Sequence, residues 1–424
     1  MLRQRVQLAC LHVAVTMTAV PIQSALARVM IRELALPATL VAVLAAFPYI
    51  FSPLQVAIGS FTDRHPVAGR RRSPSIMLGL ILCAAGLALS PAAAYALPGG
   101  RIAGLALSLL SFGAWGIGFN LASVSYFSLA SELSGEKGRS RTIAVMFFLM
   151  IVGIIVTSIV LSRMLDPYSP AVLARAFLWI AGAALALGLV GLIGLEGRGA
   201  AGQATETRIT WRERFAVLGG NRYSRLFFIY LLFLLVAILG QDVLLAPFGG
   251  VGLGMSVKES TGITSVWGTF TLIGLVIAGL LEGILPKRLV AAISSYGVAG
   301  SYLALLAAGL LADRGVFYVG VSVLGLATGT ATVANLSLML DMTVVGKVGL
   351  FMGAWGMADA LARLAGNLLS GAVRDLVSQM SGNPALGFVC VFALLAAMTG
   401  VSLLLLGRID VEAFTRRAAA VPQG

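Results

Sequence analysis

The chain has 424 residues, of which 59 % are hydrophobic and only 11 % are charged, and its formal net charge is +13. Soluble domains carry about 25 % charged residues, so this composition excludes a soluble globule of this size. The basic residues lie in short clusters between long apolar runs, a pattern that is typical of membrane topology rather than of nucleic-acid binding. We therefore predict a polytopic membrane protein with no nucleic-acid partner.

Apolar runs of about 20 residues recur along the chain, and each is long enough to cross the hydrocarbon core as a helix. The first run follows Arg3 and Arg5 and is longer than the apolar region of a cleaved signal peptide, so we interpret it as a transmembrane helix. The pattern predicts an all-α polytopic membrane protein with 12 spans. Their approximate bounds are 6–27, 38–59, 74–97, 102–131, 143–164, 173–195, 226–246, 262–284, 289–311, 315–340, 348–373 and 385–407.

The longest polar stretch divides these spans into two sets of six. We predict an N-terminal six-helix half over 1–196, a cytoplasmic basic linker over 197–225, a C-terminal six-helix half over 226–407 and a cytoplasmic tail over 408–424. With both termini in the cytoplasm, the inner side receives 21 Lys and Arg residues and the outer side eight. This asymmetry favours that orientation, because basic residues accumulate on the cytoplasmic side.

The loop after the second span contains Gly59, Asp63-Arg64 and Gly69-Arg70-Arg71. With three extra residues after the Asp-Arg pair, it resembles the loop signature of the major facilitator superfamily, Gly-x-x-x-Asp-Arg-x-Gly-Arg-Arg. The loop after the fourth span offers complementary charges. We interpret these residues as a cytoplasmic lock in which ion pairs between helix ends stabilise one conformation. The alternative is that they only set topology. The lock residues are Gly59, Asp63, Arg64, Arg70, Arg71, Glu132 and Arg141.

Three further stretches narrow the resemblance, at 24–34, 241–250 and 349–363. The first contains Ser24-Ala-Leu-Ala-Arg28, the second Pro247-Phe-Gly-Gly, and the third Gly-Ala-Trp355-Gly-Met-Ala-Asp359. Together they resemble the bacteriochlorophyll-delivery, PucC/LhaA-like branch of the major facilitator superfamily, from about residue 10 to about residue 405. The resemblance implies the major facilitator fold in a bacterial cytoplasmic (inner) or photosynthetic membrane.

The same resemblance implies a membrane factor that delivers chlorophyll or bacteriochlorophyll to light-harvesting antenna complexes, or assembles them. The pigment would be cargo, and the partners would be membrane lipid, antenna apoproteins and reaction-centre components. Two alternatives stay open: a secondary transporter of a small uncharged or amphiphilic solute, and a pigment-free insertion chaperone or structural subunit. The chain has no Gly-Lys-Ser/Thr phosphate loop, no His-Glu-x-x-His and no Gly-x-Ser-x-Gly element, so we predict that it is not an enzyme.

Asp359 and Arg363 are ionisable residues well inside a predicted span. An ionisable side chain in the middle of the membrane costs about 2.5–3.5 kcal/mol on insertion scales, so each needs a compensating interaction. Their i,i+4 spacing places them on one face of the eleventh span, where they can pair. We interpret them either as a polar element that contacts a cargo carbonyl or carboxyl group, or as an ion pair that only holds the bundle together.

His12 is the candidate pigment ligand, because a neutral imidazole is a good axial ligand for a metal centre. A lone His on a helix is more commonly a packing residue, so both interpretations stay open. The three cysteines, Cys10, Cys83 and Cys390, lie in apolar runs without metal-ligand spacing. We therefore predict neither a metal site nor a disulfide.

Overall fold

The computed structural model of the chain describes residues 2–55, 58, 62, 69–99, 102–197, 222–341 and 348–409, and the regular structure of these residues is helical. In chain order the elements are α1 (Leu2–Thr16), α2 (Ala19–Pro21), the π-helical segments π1 (Ile22–Leu26) and π2 (Val29–Glu33), α3 (Ala38–Ala45), α4 (Phe47–Ile50), α5 (Ser73–Ala96), α6 (Ile102–Gly135), α7 (Arg141–Met164), α8 (Pro170–Leu192), α9 (Arg222–Leu239), α10 (Leu245–Leu253), α11 (Val257–Leu281), α12 (Lys287–Leu311), α13 (Arg314–Asp341), α14 (Val348–Ser381) and α15 (Pro384–Gly407).

Local sequence signals explain where several helices begin and end. Gly135 has φ +59° and ψ 176°, a conformation that glycine adopts without steric cost, and it separates α6 from α7. The Ser169 side chain accepts a hydrogen bond from the Val172 N–H at the start of α8. The Asn383 side chain caps α15 in the same way by accepting from the Ala385 N–H. Such caps satisfy N–H groups that have no partner within the helix.

In the parts of the chain that the structure describes, nine helices are long and apolar enough to cross a membrane. They are Leu2–Glu33, Ser73–Ala96, Ile102–Gly135, Arg141–Met164, Pro170–Leu192, Val257–Leu281, Lys287–Leu311, Arg314–Met339 and Pro384–Gly407. Each of them overlaps a predicted span. The other three predicted spans, 38–59, 226–246 and 348–373, contain helix but are not among the nine, so a total of 12 stays a prediction.

The first span is longer than its sequence pattern predicts. We expected it to end at residue 27, but helical structure continues through π1 and π2 to Glu33. The extension places Arg28 within the helix instead of in the loop that follows it. π-Helical turns are rare in proteins, and those that do occur are frequently found at functional sites. We therefore consider this end of the first span as a candidate functional region.

The helices form two compact units. Unit 1 contains residues 1–203 and 242–269, and unit 2 contains residues 204–241 and 270–424. The units differ from the predicted halves in one segment, 242–269, which we placed in the C-terminal half. Its backbone is bonded to α7: the Ser158 hydroxyl donates to the Thr261 carbonyl (2.8 Å) and the Ser162 hydroxyl to the Lys258 carbonyl (2.7 Å).

Glycines allow helices to approach closely within each unit. In unit 1, a Cβ added to Gly79 of α5 would lie 2.6 Å from the Ala122 backbone nitrogen of α6. In unit 2, a Cβ added to Gly366 of α14 would lie 2.9 Å from the Gly240 Cα. Neither position has room for a side chain. Close approach of this kind stabilises helix pairs in membranes, where no hydrophobic effect drives helices together.

Candidate functional site

The start of α5 is held by one carboxylate from the segment that follows α8. Glu196 accepts hydrogen bonds from the N–H groups of Arg71 (2.8 Å), Arg72 (3.1 Å) and Ser73 (2.7 Å), and from the Ser73 hydroxyl (2.7 Å). The first N–H groups of a helix lack intrahelical partners, and the helix dipole favours a negative charge there. Glu196 therefore satisfies the N-terminus of α5, although it lies 123 residues from Ser73 in the sequence.

The Glu196 carboxyl is a buried acid whose surroundings favour its charged form. Burial by itself would raise its pKa. The hydrogen bonds from the Ser73 hydroxyl and from the three backbone N–H groups outweigh that effect and hold the pKa below its usual range. Glu196 is therefore ionised in the folded protein at neutral pH.

Arg72 extends this network to α6. Its guanidinium pairs with the Glu132 carboxylate (Nη2 to Oε1, 3.1 Å) and donates to the Thr62 hydroxyl (Nη1 to Oγ1, 3.1 Å). The Arg72 side chain is buried, whereas that of Glu132 is 36 % exposed. We call Thr62, Arg72, Ser73, Glu132 and Glu196 the Arg72 cluster. All five belong to unit 1.

The cluster overlaps only in part with the predicted cytoplasmic lock. Glu132 does pair with the arginine run after the second span, but through Arg72, which was not among the predicted lock residues. Glu196 was also missed, since no local pattern links it to residues 71–73. Arg141 is exposed. The lock residues Gly59, Asp63 and Arg64 lie outside the described residues, and the lock stays a prediction.

His12 lies inside α1 and is enclosed by aromatic side chains. Its imidazole is stacked on Tyr126 (5.4 Å between ring centroids) and meets Phe127 (5.3 Å) and Phe147 (5.1 Å) edge to face. Only 3 % of the residue is exposed, and its Nδ1 has no hydrogen-bond partner among the described residues. The sequence did not predict this aromatic cluster, because its members come from three different helices.

The His12 cluster has one side at the surface of unit 1. Phe147 of α7 is 44 % exposed, so the cluster reaches the outer surface of unit 1 through that ring. The other two rings are less exposed: Tyr126 is buried and Phe127 is partly buried. The geometry thus combines an unpartnered ring nitrogen with a closed aromatic cover.

Asp359 and Arg363 form the ion pair that their spacing predicts. Arg363 Nε lies 3.0 Å from Asp359 Oδ2, across one turn of α14. The two side chains remain 36 % and 26 % exposed, respectively. The pair neutralises two charges that would each be costly in an apolar environment, yet it leaves part of both groups accessible.

Arg28, which follows the predicted end of the first span, is a buried cation. It is 2 % exposed; Nη1 lies 2.5 Å from Glu33 Oε1, and Nη2 donates to the Met255 carbonyl (2.9 Å). A Cβ added to Gly250 would lie 3.0 Å from Arg28 Nε. Two of the stretches that carry the family resemblance, 24–34 and 241–250, therefore meet around this guanidinium in unit 1.

A metal centre built from protein ligands has no counterpart among the described residues. They contain no group of three or more His, Cys, Asp and Glu side chains placed to hold an ion. Cys10, Cys83 and Cys390 are free thiols. The candidate functional sites are therefore the Arg72 cluster, the His12 cluster, the Arg28 contacts and the Asp359–Arg363 pair.

The sequence of the whole chain decides the family. The sequence model of the PUCC protein family matches residues 25–414. The chain belongs to the PucC family. This confirms the resemblance that the stretches at 24–34, 241–250 and 349–363 indicated, although those stretches alone cover a small part of the match.

Relatives of this PucC-family chain come from photosynthetic bacteria. Protein PucC of Rhodobacter capsulatus is 31 % identical over 409 residues, which cover 92 % of this chain and 87 % of that protein. A second relative from the same species, named Bacteriochlorophyll synthase 44.5 kDa chain, is 29 % identical over 384 residues, 87 % of this chain and 85 % of its own length. These relatives support the assignment of this chain to the photosynthesis-related membrane proteins.

Solved structures identify the fold of the PucC-family chain. A D-xylose-proton symporter superimposes with a TM-score of 0.71, covering 96 % of this chain and 97 % of the symporter at 15 % identity. The chain is therefore an α-helical, multi-pass membrane protein with the major facilitator fold, as predicted. Family and fold together support a non-enzymatic membrane protein. At 15 % sequence identity, the structural similarity shows the fold and does not indicate whether this protein binds a solute.

Proposed function

We propose that this protein delivers bacteriochlorophyll to light-harvesting antenna complexes, or assembles those complexes. The main support is its relationship over 87 % of its length to a protein named as a chain of bacteriochlorophyll synthase. Its cargo would be chlorophyll or bacteriochlorophyll, and its partners antenna apoproteins, reaction-centre components and membrane lipid. The protein would lie in the bacterial inner or photosynthetic membrane with both termini in the cytoplasm, as the distribution of basic residues favours.

The chemistry of the His12 cluster supports a pigment cargo. A chlorin offers a magnesium ion that accepts one axial nitrogen ligand and a flat apolar ring that packs against aromatic side chains. His12 offers an unpartnered ring nitrogen, and Tyr126, Phe127 and Phe147 supply aromatic surface around it. The partial exposure of Phe147 supplies an entry from the apolar outer surface, so a hydrophobic pigment would not have to cross water.

The test is an absorption spectrum with pigment extraction and identification of bound proteins, measured on the protein purified gently from its native membrane. We expect red chlorin bands at a reproducible stoichiometry and copurified antenna polypeptides. A colourless protein without those polypeptides, after a control for pigment loss in detergent, would contradict the proposal. A colourless protein that retains antenna polypeptides would instead support the pigment-free chaperone.

His12→Phe tests ligation separately, because phenylalanine preserves aromatic packing but has no ring nitrogen. We expect His12→Phe to lose most of the bound pigment while keeping the yield and elution volume of the wild type. Phe148→Leu, which removes an exposed ring of α7 outside the His12 cluster, is the matched control and should retain pigment. If His12→Phe keeps the wild-type pigment content, His12 is a packing residue and the pigment is held elsewhere.

A secondary transporter of a small uncharged or amphiphilic solute is the second candidate, because the chain shares its fold with a D-xylose-proton symporter. The partly exposed Asp359–Arg363 pair would then contact solute or the coupling ion. Asp359→Asn and Arg363→Gln should abolish uptake into proteoliposomes without loss of expression. If the variants assemble antenna complexes normally and no solute is taken up by the wild type, this candidate is wrong.

A further inference from the structure

Four polar residues follow one face of α14. Asp359, Arg363, Asn367 and Ser370 are spaced by four, four and three residues. At 3.6 residues per turn their side chains fall within an arc of about 80° and extend over about three turns of the helix. We call these four residues the α14 polar face. All of them lie in unit 2.

The face is open at one end and closed at the other. Asp359 and Arg363 are partly exposed, and a Cβ added to Gly356, one turn before Asp359 on the same side, would meet no atom within 4 Å. Asn367 is only 1 % exposed and Ser370 is fully buried. A molecule that enters beside Gly356 would therefore meet the ion pair first and the buried amide last.

The closed end contains hydrogen-bonding groups without partners. Neither Nδ2 nor Oδ1 of Asn367, nor Oγ of Ser370, has a hydrogen-bond partner among the described residues. A buried polar group that is left unsatisfied costs about 1–3 kcal/mol, and native proteins rarely tolerate it without a reason such as a bound water or ligand. Asn367 and Ser370 concentrate three such atoms within one helical turn.

Several other buried polar side chains of this protein do have hydrogen-bond partners, although the Ser125 and Ser260 hydroxyls also lack one among the described residues. The Asn335 amide donates to the Ala331 carbonyl (2.8 Å), and its Oδ1 accepts from the Tyr230 hydroxyl (2.7 Å). On α14 itself, the Ser378 hydroxyl donates to the Arg374 carbonyl one turn earlier (2.7 Å). Ser370 makes no such bond to its own helix. Its hydroxyl is available to another group.

The charges of the face define what the closed end can hold. Asp359 and Arg363 neutralise one another, so an ion has no counter-charge to gain there. Asn367 offers two donor hydrogens and an acceptor, and Ser370 offers one donor hydrogen. These groups match an uncharged molecule that bears a carbonyl or hydroxyl oxygen.

We propose that Asn367 and Ser370 form a hydrogen-bonding subsite for a carbonyl group of the pigment, with the Asn367 amide and the Ser370 hydroxyl donating to its oxygen. The identity of the ligand rests on the proposed function, in which bacteriochlorophyll is the cargo. The subsite itself is defined by α14 alone. It would bind the polar edge of an otherwise apolar molecule and keep that edge away from water.

The experiment measures two quantities on the purified full-length protein: the Kd for bacteriochlorophyll a in detergent, by fluorescence titration, and the Tm without pigment. Asn367→Leu should raise the Kd on the order of tenfold, because one hydrogen bond to the carbonyl is lost. Its Tm without pigment should equal or exceed that of the wild type, because an unpartnered buried amide has been removed. Ser370→Ala should raise the Kd by a smaller factor.

Two variants serve as controls. Ser378→Ala removes a hydroxyl that bonds to the Arg374 carbonyl and, at 3.5 Å, to the Pro384 carbonyl. It lies outside the α14 polar face, so it should leave the Kd unchanged and lower the Tm at most slightly. Asn335→Leu removes an amide that has partners, and it should lower the Tm while the Kd stays at the wild-type value. Equal Kd values for Asn367→Leu and the wild type would overturn the subsite.

The Tm gives a second way to overturn it. A fall in the Tm of Asn367→Leu as large as that of Asn335→Leu would show that the Asn367 amide already has a structural partner. A wild-type protein that does not bind the pigment would instead contradict the proposed function and, with it, the identity of the ligand. The two failures are distinguishable, because one occurs only in the variants and the other in the wild type.

Discussion

The Arg72 cluster of unit 1 and the α14 polar face of unit 2 both contain buried polar side chains, but they differ in how completely these side chains are paired. Glu196 accepts hydrogen bonds from three backbone N–H groups and one hydroxyl, and Arg72 uses its guanidinium on two partners. Asn367 and Ser370 have no hydrogen-bond partner among the described residues. Polar groups whose hydrogen bonds are all made contribute to stability and are not available to a ligand. Polar groups without hydrogen-bond partners are available to a ligand.

This difference predicts opposite effects of removing a buried polar side chain in the two regions. Substitution in the Arg72 cluster leaves several donors unpaired, so it should destabilise the fold. Substitution at Asn367 removes an unpaired group, so it should affect the ligand rather than the fold. Three measurements on stability sharpen the comparison.

The largest effect is expected for Glu196→Ala. The change leaves the N–H groups at the start of α5 without an acceptor, and we expect the free energy of unfolding to fall by about 3 kcal/mol. Unfolding in a titration with sodium dodecyl sulfate, followed by circular dichroism, measures this change. Glu282→Ala, which removes an exposed carboxylate that accepts from the Ser337 hydroxyl, is the control and should cost less than about 0.5 kcal/mol. A loss below about 1 kcal/mol for Glu196→Ala would show that water replaces the carboxylate.

A smaller effect is expected from pH. Because the pKa of Glu196 in the folded protein lies below its unfolded value of about 4.3, the charged carboxylate contributes stability that is fully present above that value. The contribution is lost as the pH falls through the lower, folded-state pKa. Glu196→Gln should therefore show a shallower loss of stability than the wild type below about pH 4.3, in the same titration repeated at several pH values. Parallel curves would mean that the carboxyl titrates normally.

The smallest effect is expected for the Asp359–Arg363 pair. Both side chains are partly exposed and belong to one helix, so a double-mutant cycle with Asp359→Asn and Arg363→Gln should give a coupling energy of about 0.3–0.5 kcal/mol. The same unfolding titration provides the four values. A coupling energy above about 2 kcal/mol would place the pair among the buried ion pairs and contradict its interpretation as an accessible polar element.

The sequence predicted the fold well because its main signals are local. The long apolar runs identify helices, since a chain that crosses hydrocarbon must satisfy every backbone group within its own segment. The pairing of Asp359 with Arg363 followed from their i,i+4 spacing alone. The extension of the first span to Glu33 was missed, because Arg28 and Arg32 interrupt the apolar pattern on which the boundary was based.

The candidate sites were predicted less completely, because their contacts join distant parts of the chain. His12 was identified by residue type, but the rings that enclose it come from α6 and α7. The choice of Arg72 over its neighbours Arg70 and Arg71 as the partner of Glu132 depends on how α5 and α6 pack. The placement of 242–269 in unit 1 depends on contacts such as that of Arg28 with the Met255 carbonyl.

By itself, the sequence determined that this is a polytopic helical membrane protein of a recognisable family, since hydrophobicity, charge asymmetry and family motifs are all properties of contiguous segments. Only the tertiary structure decided which buried polar groups are satisfied. Glu196 finds its donors more than a hundred residues away, whereas Asn367 finds none among the described residues. Hydrogen bonding between distant segments is set by how helices pack, and no pattern along one segment contains that information.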